Sequence, residues 1–289
     1  MSSVSCNQHT VSRSYLKNFV SNGTKCVWRY DIKENRIDKN HRSIDKITRE
    51  KFFYDLQSYN FELMELKLLG GIFGIKDTAL ENAYNDKQLI EKLFSLIEHK
   101  MADMHKNLFK HIDGKLDCDT EIFRTQYATF LVIQGLRTVF MRGIATNLNE
   151  NEKKSILPFK QYTDKERHLG MVQDLAFIFN KAKSLVEDYN WRIIKTKIPS
   201  FFTSDNPAMG AVFLPAVIYF PISPYACWRL EKFGSTYEGE DFNIEEVINW
   251  IITWSVTSAS RYLYASCQSL FCDKVITAVN SKNLILPSS

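Results

Sequence analysis

The chain has 289 residues, enough for one large domain or two modest ones. Hydrophobic residues make up 45% and include 20 Phe and 13 Tyr, so a sizeable core can be buried; 11 Gly and 7 Pro are too few for a collagen-like, linker-dominated or disordered chain. A formal charge of +4 permits an anionic partner without arguing for one.

The first twenty residues hold no continuous apolar stretch and carry His9, Arg13 and Lys17, so no secretory leader is expected. Up to Tyr59 the chain reads as irregular with one hairpin. Asn22-Gly23 makes a turn, Lys25 to Asp31 a β-type run, and Asp31 to Asn35 a second turn. Asn60 is placed to cap a helix from Phe61, and Gly70-Gly71 to end it. From Lys87 the pattern is helical: Leu89, Leu93, Leu96, Ile97, Met101, Met104, Leu108 and Ile112 recur at steps of three and four. His99, His105 and His111 are six apart, so successive rings fall on different helix faces and read as solvated. Asp119 is placed to cap the next helix, which runs through Phe123, Tyr127 and Leu136 towards Ile144. Residues 147–162 form a polar break, and Thr163 with Glu166 makes a capping box for a helix reaching about Tyr189.

The rhythm changes at Trp191. Trp191 to Ile198, Ser200 to Thr203, Ala216 to Phe220 and Ala226 to Leu230 are short β-type runs between Pro and Asn turns, which predicts an antiparallel sheet. The longest apolar stretch, Met209 to Ile222, is interrupted by Pro215 and Pro221 and reads as a buried loop or strand pair rather than a membrane helix. Asn243 with Glu246 makes a second capping box and opens a helix through Trp254 to Ser258, and Arg261 to Ala265 either continues it or forms a short strand. The expected fold is α+β in a single domain, a mainly helical body packed on a small antiparallel sheet. Its helical part covers about 60–190, its sheet-rich part about 191–235 and its C-terminal helix about 243–265. Six scattered cysteines without a Cys-x-x-Cys pair suggest neither structural zinc nor a disulfide framework, and reduced thiols in a cytoplasm are expected.

Familiar catalytic motifs are missing. No Gly-Lys-Ser/Thr follows Gly70-Gly71-Ile-Phe-Gly74, and Gly-x-Ser-x-Gly, His-Glu-x-x-His and a basic stripe interleaved with aromatics are absent. Four features remain: His9 ahead of Val11, Tyr15 and Phe19; Glu62 and Glu65 on one helix face; Gln134 and Arg137 three apart on an apolar helix; and Thr203-Ser204-Asp205-Asn206-Pro207 after Phe201-Phe202.

In that order, and with Pro221-Ile-Ser-Pro224 and Ala259-Ser-Arg-Tyr-Leu-Tyr264, these segments resemble the bacterial family known as domain of unknown function 4238. The resemblance spans nearly the full length and departs at Ser12, where the family usually has Pro. It implies no established reaction.

The residues themselves suggest phosphodiester hydrolysis. His9 would be the general acid or base, since histidine titrates near neutrality. Asp205 and Glu62 would be further catalytic carboxylates that hold a divalent cation, Mg²⁺ or Mn²⁺. Arg137 and Gln134 would bind substrate, with Ser204 and Asn206 beside them. The expectation is therefore a cytoplasmic bacterial hydrolase, a nuclease used in defence or toxin systems and acting on nucleic acid or a nucleotide. The alternatives are a nucleotide-modifying transferase, or a non-enzymatic ligand-binding or protein-interaction module whose polar cluster is structural. On the structural reading Asp205 makes an Asx turn, Gln134 and Arg137 satisfy buried carbonyls, His9 ties the amino end to the core, and Glu62 and Glu65 face water. No oligomeric state is implied.

Overall fold

The computed structural model describes residues 7–51, 62–86, 88–114, 119–147, 163–236 and 243–285. In chain order the elements are β1 (Asn7–His9), α1 (Arg13–Leu16), β2 (Cys26–Asp31), β3 (Arg36–Ile37), β4 (Arg42–Ser43) and β5 (Arg49–Lys51). Then come α2 (Leu63–Ile72), α3 (Asp77–Tyr84), α4 (Leu89–Ile112), α5 (Glu121–Leu136), α6 (Val139–Asn147), α7 (Asp164–Gln173) and α8 (Leu175–Glu187). The remainder is β6 (Tyr189–Lys195), β7 (Thr203–Ser204), α9 (Met209–Phe213), β8 (Val217–Ser223), β9 (Ala226–Lys232), α10 (Ile244–Ser258), β10 (Tyr262–Ala265) and α11 (Asp273–Ile285). Two compact units divide the chain: Met1–Ser14 with Arg49–Val186, and Tyr15–Thr48 with Glu187–Ser289. The fold is α+β, with helices dominating the first unit and small antiparallel sheets the second.

In the first unit, α4 buries Leu93, Ile97, Met101 and Leu108 and leaves Lys92, His99 and Lys106 outside, as its periodicity predicts. His105 is the exception to the expected solvated histidines: it is buried, with the Tyr127 and Phe130 rings edge-on to it. The expected cap of α5 moves by one residue. Thr120 accepts the Phe123 N–H at 3.2 Å, while Asp119 pairs with Arg124 at 2.7 Å. The helix expected to reach Ile144 stops at Leu136, and the Thr138 hydroxyl restarts the chain as α6 by accepting the Met141 N–H. The Thr163–Glu166 capping box forms as read, but its helix ends at Gln173. There the Asp174 carboxylate accepts the Phe177 N–H at 2.8 Å and opens α8, the competition that short polar side chains offer a helix backbone. Gly70 and Gly71 lie inside α2 rather than ending it, because the chain turns at Gly74 with φ +61°. Gly70 is needed where it stands, since a Cβ there would collide with Leu80. The expected helix start at Asn60-Phe61, most of the 147–162 break, Cys6 and Cys118 lie outside the described residues.

In the second unit, the order β3-β2-β10-β7, with β4 also on β2, makes one antiparallel sheet. Arg261 to Ala265 thus contributes a strand rather than more helix, and it pairs with β2 on one side and β7 on the other. That sheet shares a core with α10 and α11 through Tyr30, Ile252, Val256, Leu263, Val275 and Val279. The last helix, α11, has no counterpart among the expected elements. A three-stranded sheet, β6-β9-β8, carries three of the four strands expected after Trp191; the Ser200 to Thr203 run instead leads into β7 of the other sheet, so the single sheet expected there is divided between two. One face of the three-stranded sheet sets Ile194 and Cys227 against Val247 and Ile251 of α10, with Tyr219 packed beside them. Among the described residues no helix is long and apolar enough to cross a membrane.

Candidate functional site

The Gln-x-x-Arg pair works at the end of α5. Ile133 and Leu136 turn into the first unit's core, and Gln134 and Arg137, both at most 2% exposed, are buried with them. Buried amides and guanidinium groups must find partners. The Gln134 Oε1 accepts the Ser12 N–H at 2.9 Å, and its Nε2 donates to the Thr10 carbonyl at 3.2 Å, much as a neighbouring strand would. Arg137 donates to the His9 carbonyl and, at 2.7 Å, to the Glu98 carboxylate, with its guanidinium 4.5 Å from the Phe94 ring centroid. His9, half-buried on β1, therefore meets Arg137 through its backbone. Three of the expected site residues come together here, as a clamp on residues 9–12.

The Ser-Asp-Asn-Pro segment builds a second clamp, within the other unit. The Asp205 carboxylate accepts three successive N–H groups, from Ser260 and Arg261 at 2.8 Å and from Tyr262 at 2.9 Å. Burial raises its pKa to about 6, outweighing those three bonds and the nearby Lys282 charge, which all lower it. Lys282 donates to the carbonyls of Val256, Thr257 and Ala259 at the end of α10, and its own pKa is lowered by burial. Ser204 and Asn206 are each 1% exposed: the Ser204 hydroxyl accepts the Asn206 N–H, and the Asn206 amide donates to the Ser258 carbonyl. The two resembling segments, Ser204-Asp205 and Ser260-Arg-Tyr262, are thus halves of one contact.

Glu62 makes no bond in either clamp. It is exposed at the start of α2, where its N–H is taken by the Glu65 carboxylate at 2.9 Å. The donor sets do not suit the Mg²⁺ or Mn²⁺ expected at Asp205 and Glu62. A carboxylate ringed by three N–H groups sits in a nest of positive dipole, the inverse of what a cation needs. Among the described residues no group of three or more His, Cys, Asp or Glu side chains could hold a metal.

Sequence reasoning passed over Glu98, the carboxylate that a buried Arg137 requires, and Asp31, which binds Arg261 at 2.8 Å. It also passed over an aromatic groove in the second unit. The groove, of about 230 Å³, lies between Pro215, Val217 and Tyr219 at the start of β8 and Trp250 and Trp254 of α10. Trp250 is 49% exposed, unusual for the largest apolar side chain. The available signal was the i, i+4 spacing of the two tryptophans beside the buried Val247–Ile251 stripe.

A model of the family described as protein of unknown function (DUF4238) matches residues 7–269. No curated protein and no solved structure matches the chain.

Proposed function

The chain belongs to the DUF4238 family, and we propose that it is a non-enzymatic binding module whose motif residues clamp its own backbone while recognition falls to the aromatic groove beside β8. What supports this most is where Gln134, Arg137 and Asp205 direct their polar atoms. Each meets main-chain groups of this chain from a buried position. Phosphodiester hydrolysis asks for the opposite, donors and a base turned to an open cleft where charge develops. The groove supplies the open, largely apolar surface that a binding module uses. The free thiols of Cys26, Cys227, Cys267 and Cys272 suit the reducing cytoplasm that the reading assumes.

The test joins a cleavage assay to melting curves. With Mg²⁺ or Mn²⁺ present, RNA and DNA are expected to stay intact. Arg137→Ala and Asp205→Ala should each cost roughly 3 kcal/mol of stability, the range for breaking a buried pair or hydrogen-bonded network. Metal-dependent cleavage that His9→Ala or Asp205→Ala abolishes at an unchanged melting temperature would overturn the reading in favour of a nuclease.

A further inference from the structure

β8 is an edge strand of the sheet β6-β9-β8. Lys232 donates to the Ala216 carbonyl at 2.9 Å, which sets the phase of the ladder. Ala216, Ile218 and Phe220 therefore turn their backbone groups to β9, and Val217, Tyr219 and Pro221 turn theirs outward. At Pro221 the edge is closed: proline has no N–H, and its carbonyl accepts the Tyr15 hydroxyl at 2.9 Å. At Val217 and Tyr219 no hydrogen bond from the described residues meets the outward N–H and C=O. The open length of edge is thus the stretch that borders the groove.

Charge narrows the occupant. Glu246, Trp250 and Trp254 follow one another at i, i+4 along α10, so the carboxylate shares a stripe with the two rings. Its neighbour Glu245 is paired with Lys274 at 2.7 Å, whereas Glu246 has no ion pair among the described residues. Burial raises the Tyr219 hydroxyl's pKa; Arg229 opposes this, and Cys227, Glu231 and Glu246 add to it, which puts Glu246 within electrostatic reach of the groove.

We propose that the groove takes an extended peptide segment of a partner protein, which adds a strand to Val217 and Tyr219, seats an aliphatic side chain between the tryptophans and sets an arginine or lysine against Glu246. This rests on the binding-module reading and names the partner's chemistry. Main-chain bonds to the edge supply affinity, and the aromatic walls with one acidic group supply selectivity.

The probe is an acetylated peptide alternating Val and Thr with one Arg, titrated into the full chain by tryptophan fluorescence and calorimetry. Binding is expected, with about a tenfold loss when Arg is replaced by Glu or when Glu246→Gln is used, the worth of one charge-assisted contact. Methylating the peptide's amides on one edge, or substituting Val217→Pro, should abolish it, because each removes strand hydrogen bonds. Proline is tolerated on an edge strand, and the exposed Trp250→Ala serves as a second variant should Val217→Pro melt early. Equal binding by the methylated peptide, equal binding by the Glu peptide, or no binding at all would each overturn the inference. So would a dimer of the chain that Val217→Pro dissociates, which would make a second copy the occupant. Nucleic-acid cleavage by the same preparation would count against the binding-module reading itself; a silent peptide titration without cleavage counts only against this occupant.

Discussion

At Asp205, burial and hydrogen bonding pull in opposite directions. Three N–H donors favour the ionised carboxylate, yet burial holds its pKa at about 6, above the ordinary carboxylate range. A raised folded pKa means that the group's stabilising contribution is complete below the unfolded value and is lost as pH rises through 6. The stability of the natural chain relative to Asp205→Asn should therefore grow by roughly 2 kcal/mol between pH 7 and pH 4, read from urea melts. A difference that shrinks on acidification would show that the N–H donors dominate. The sequence made Asp205 conspicuous but not its role. An Asx turn would keep its bonds within a few positions, whereas the carboxylate reaches residues 55 to 57 positions along the chain. Arg137 teaches the same lesson, because its carboxylate partner lies 39 positions away and spacing does not encode such a contact.

Elements were more legible than contacts, because periodicity is local. Asn243 caps α10 as expected, but by accepting the Glu245 N–H at 2.9 Å rather than through a box with Glu246. The α4 stripe and the Thr163 capping box follow from spacing alone. The breaks after Leu136 and Gln173 do not, since Thr138 and Asp174 each interrupt a continuing apolar rhythm with one side-chain hydrogen bond. The end of α10 depends on a distant element too: Lys282 of α11 binds two of its last carbonyls, of Val256 and Thr257, and that of Ala259, the residue that caps it. Lys282→Met should cost about 1–2 kcal/mol and speed amide exchange in the last turn of α10, as expected for losing charged hydrogen bonds at a helix C-terminus. Between α9 and β8 the packing is tight enough that a Cβ on Gly210 would lie 2.7 Å from Ile218 Cγ2. Gly210→Ala should therefore destabilise by about 1–3 kcal/mol, and the loss should be smaller in an Ile218→Ala background, which lacks the colliding γ carbon.

Across the whole molecule, acid acts differently on the two units. Burial lowers the pKa of both His105 and His168, in the first unit, to about 4. A histidine whose folded pKa is depressed adds stability above its ordinary pKa near 6.5 and loses it as pH falls towards 4. Asp205, in the second unit, has the opposite slope. Amide exchange in α4 and α5 should therefore accelerate on moving from pH 7 to pH 5 by more than exchange in β2 and β10, after correction for intrinsic rates. His105→Phe should flatten the response of the first unit, since its site is already lined by aromatic rings. The α+β class was legible from the order of apolar rhythms along the chain. The division into two units was not, because each unit is assembled from segments far apart in sequence.

The closure of β8 at Pro221 also bears on self-association. An uncapped border invites identical molecules to stack rung upon rung into fibrils, and here the sticky length is cut to a stub by an imino acid and a tyrosine hydroxyl. Removing both stoppers, with Pro221→Val and Tyr15→Phe together, would lengthen that template and convert a surface suited to one short visitor into a seed for aggregation.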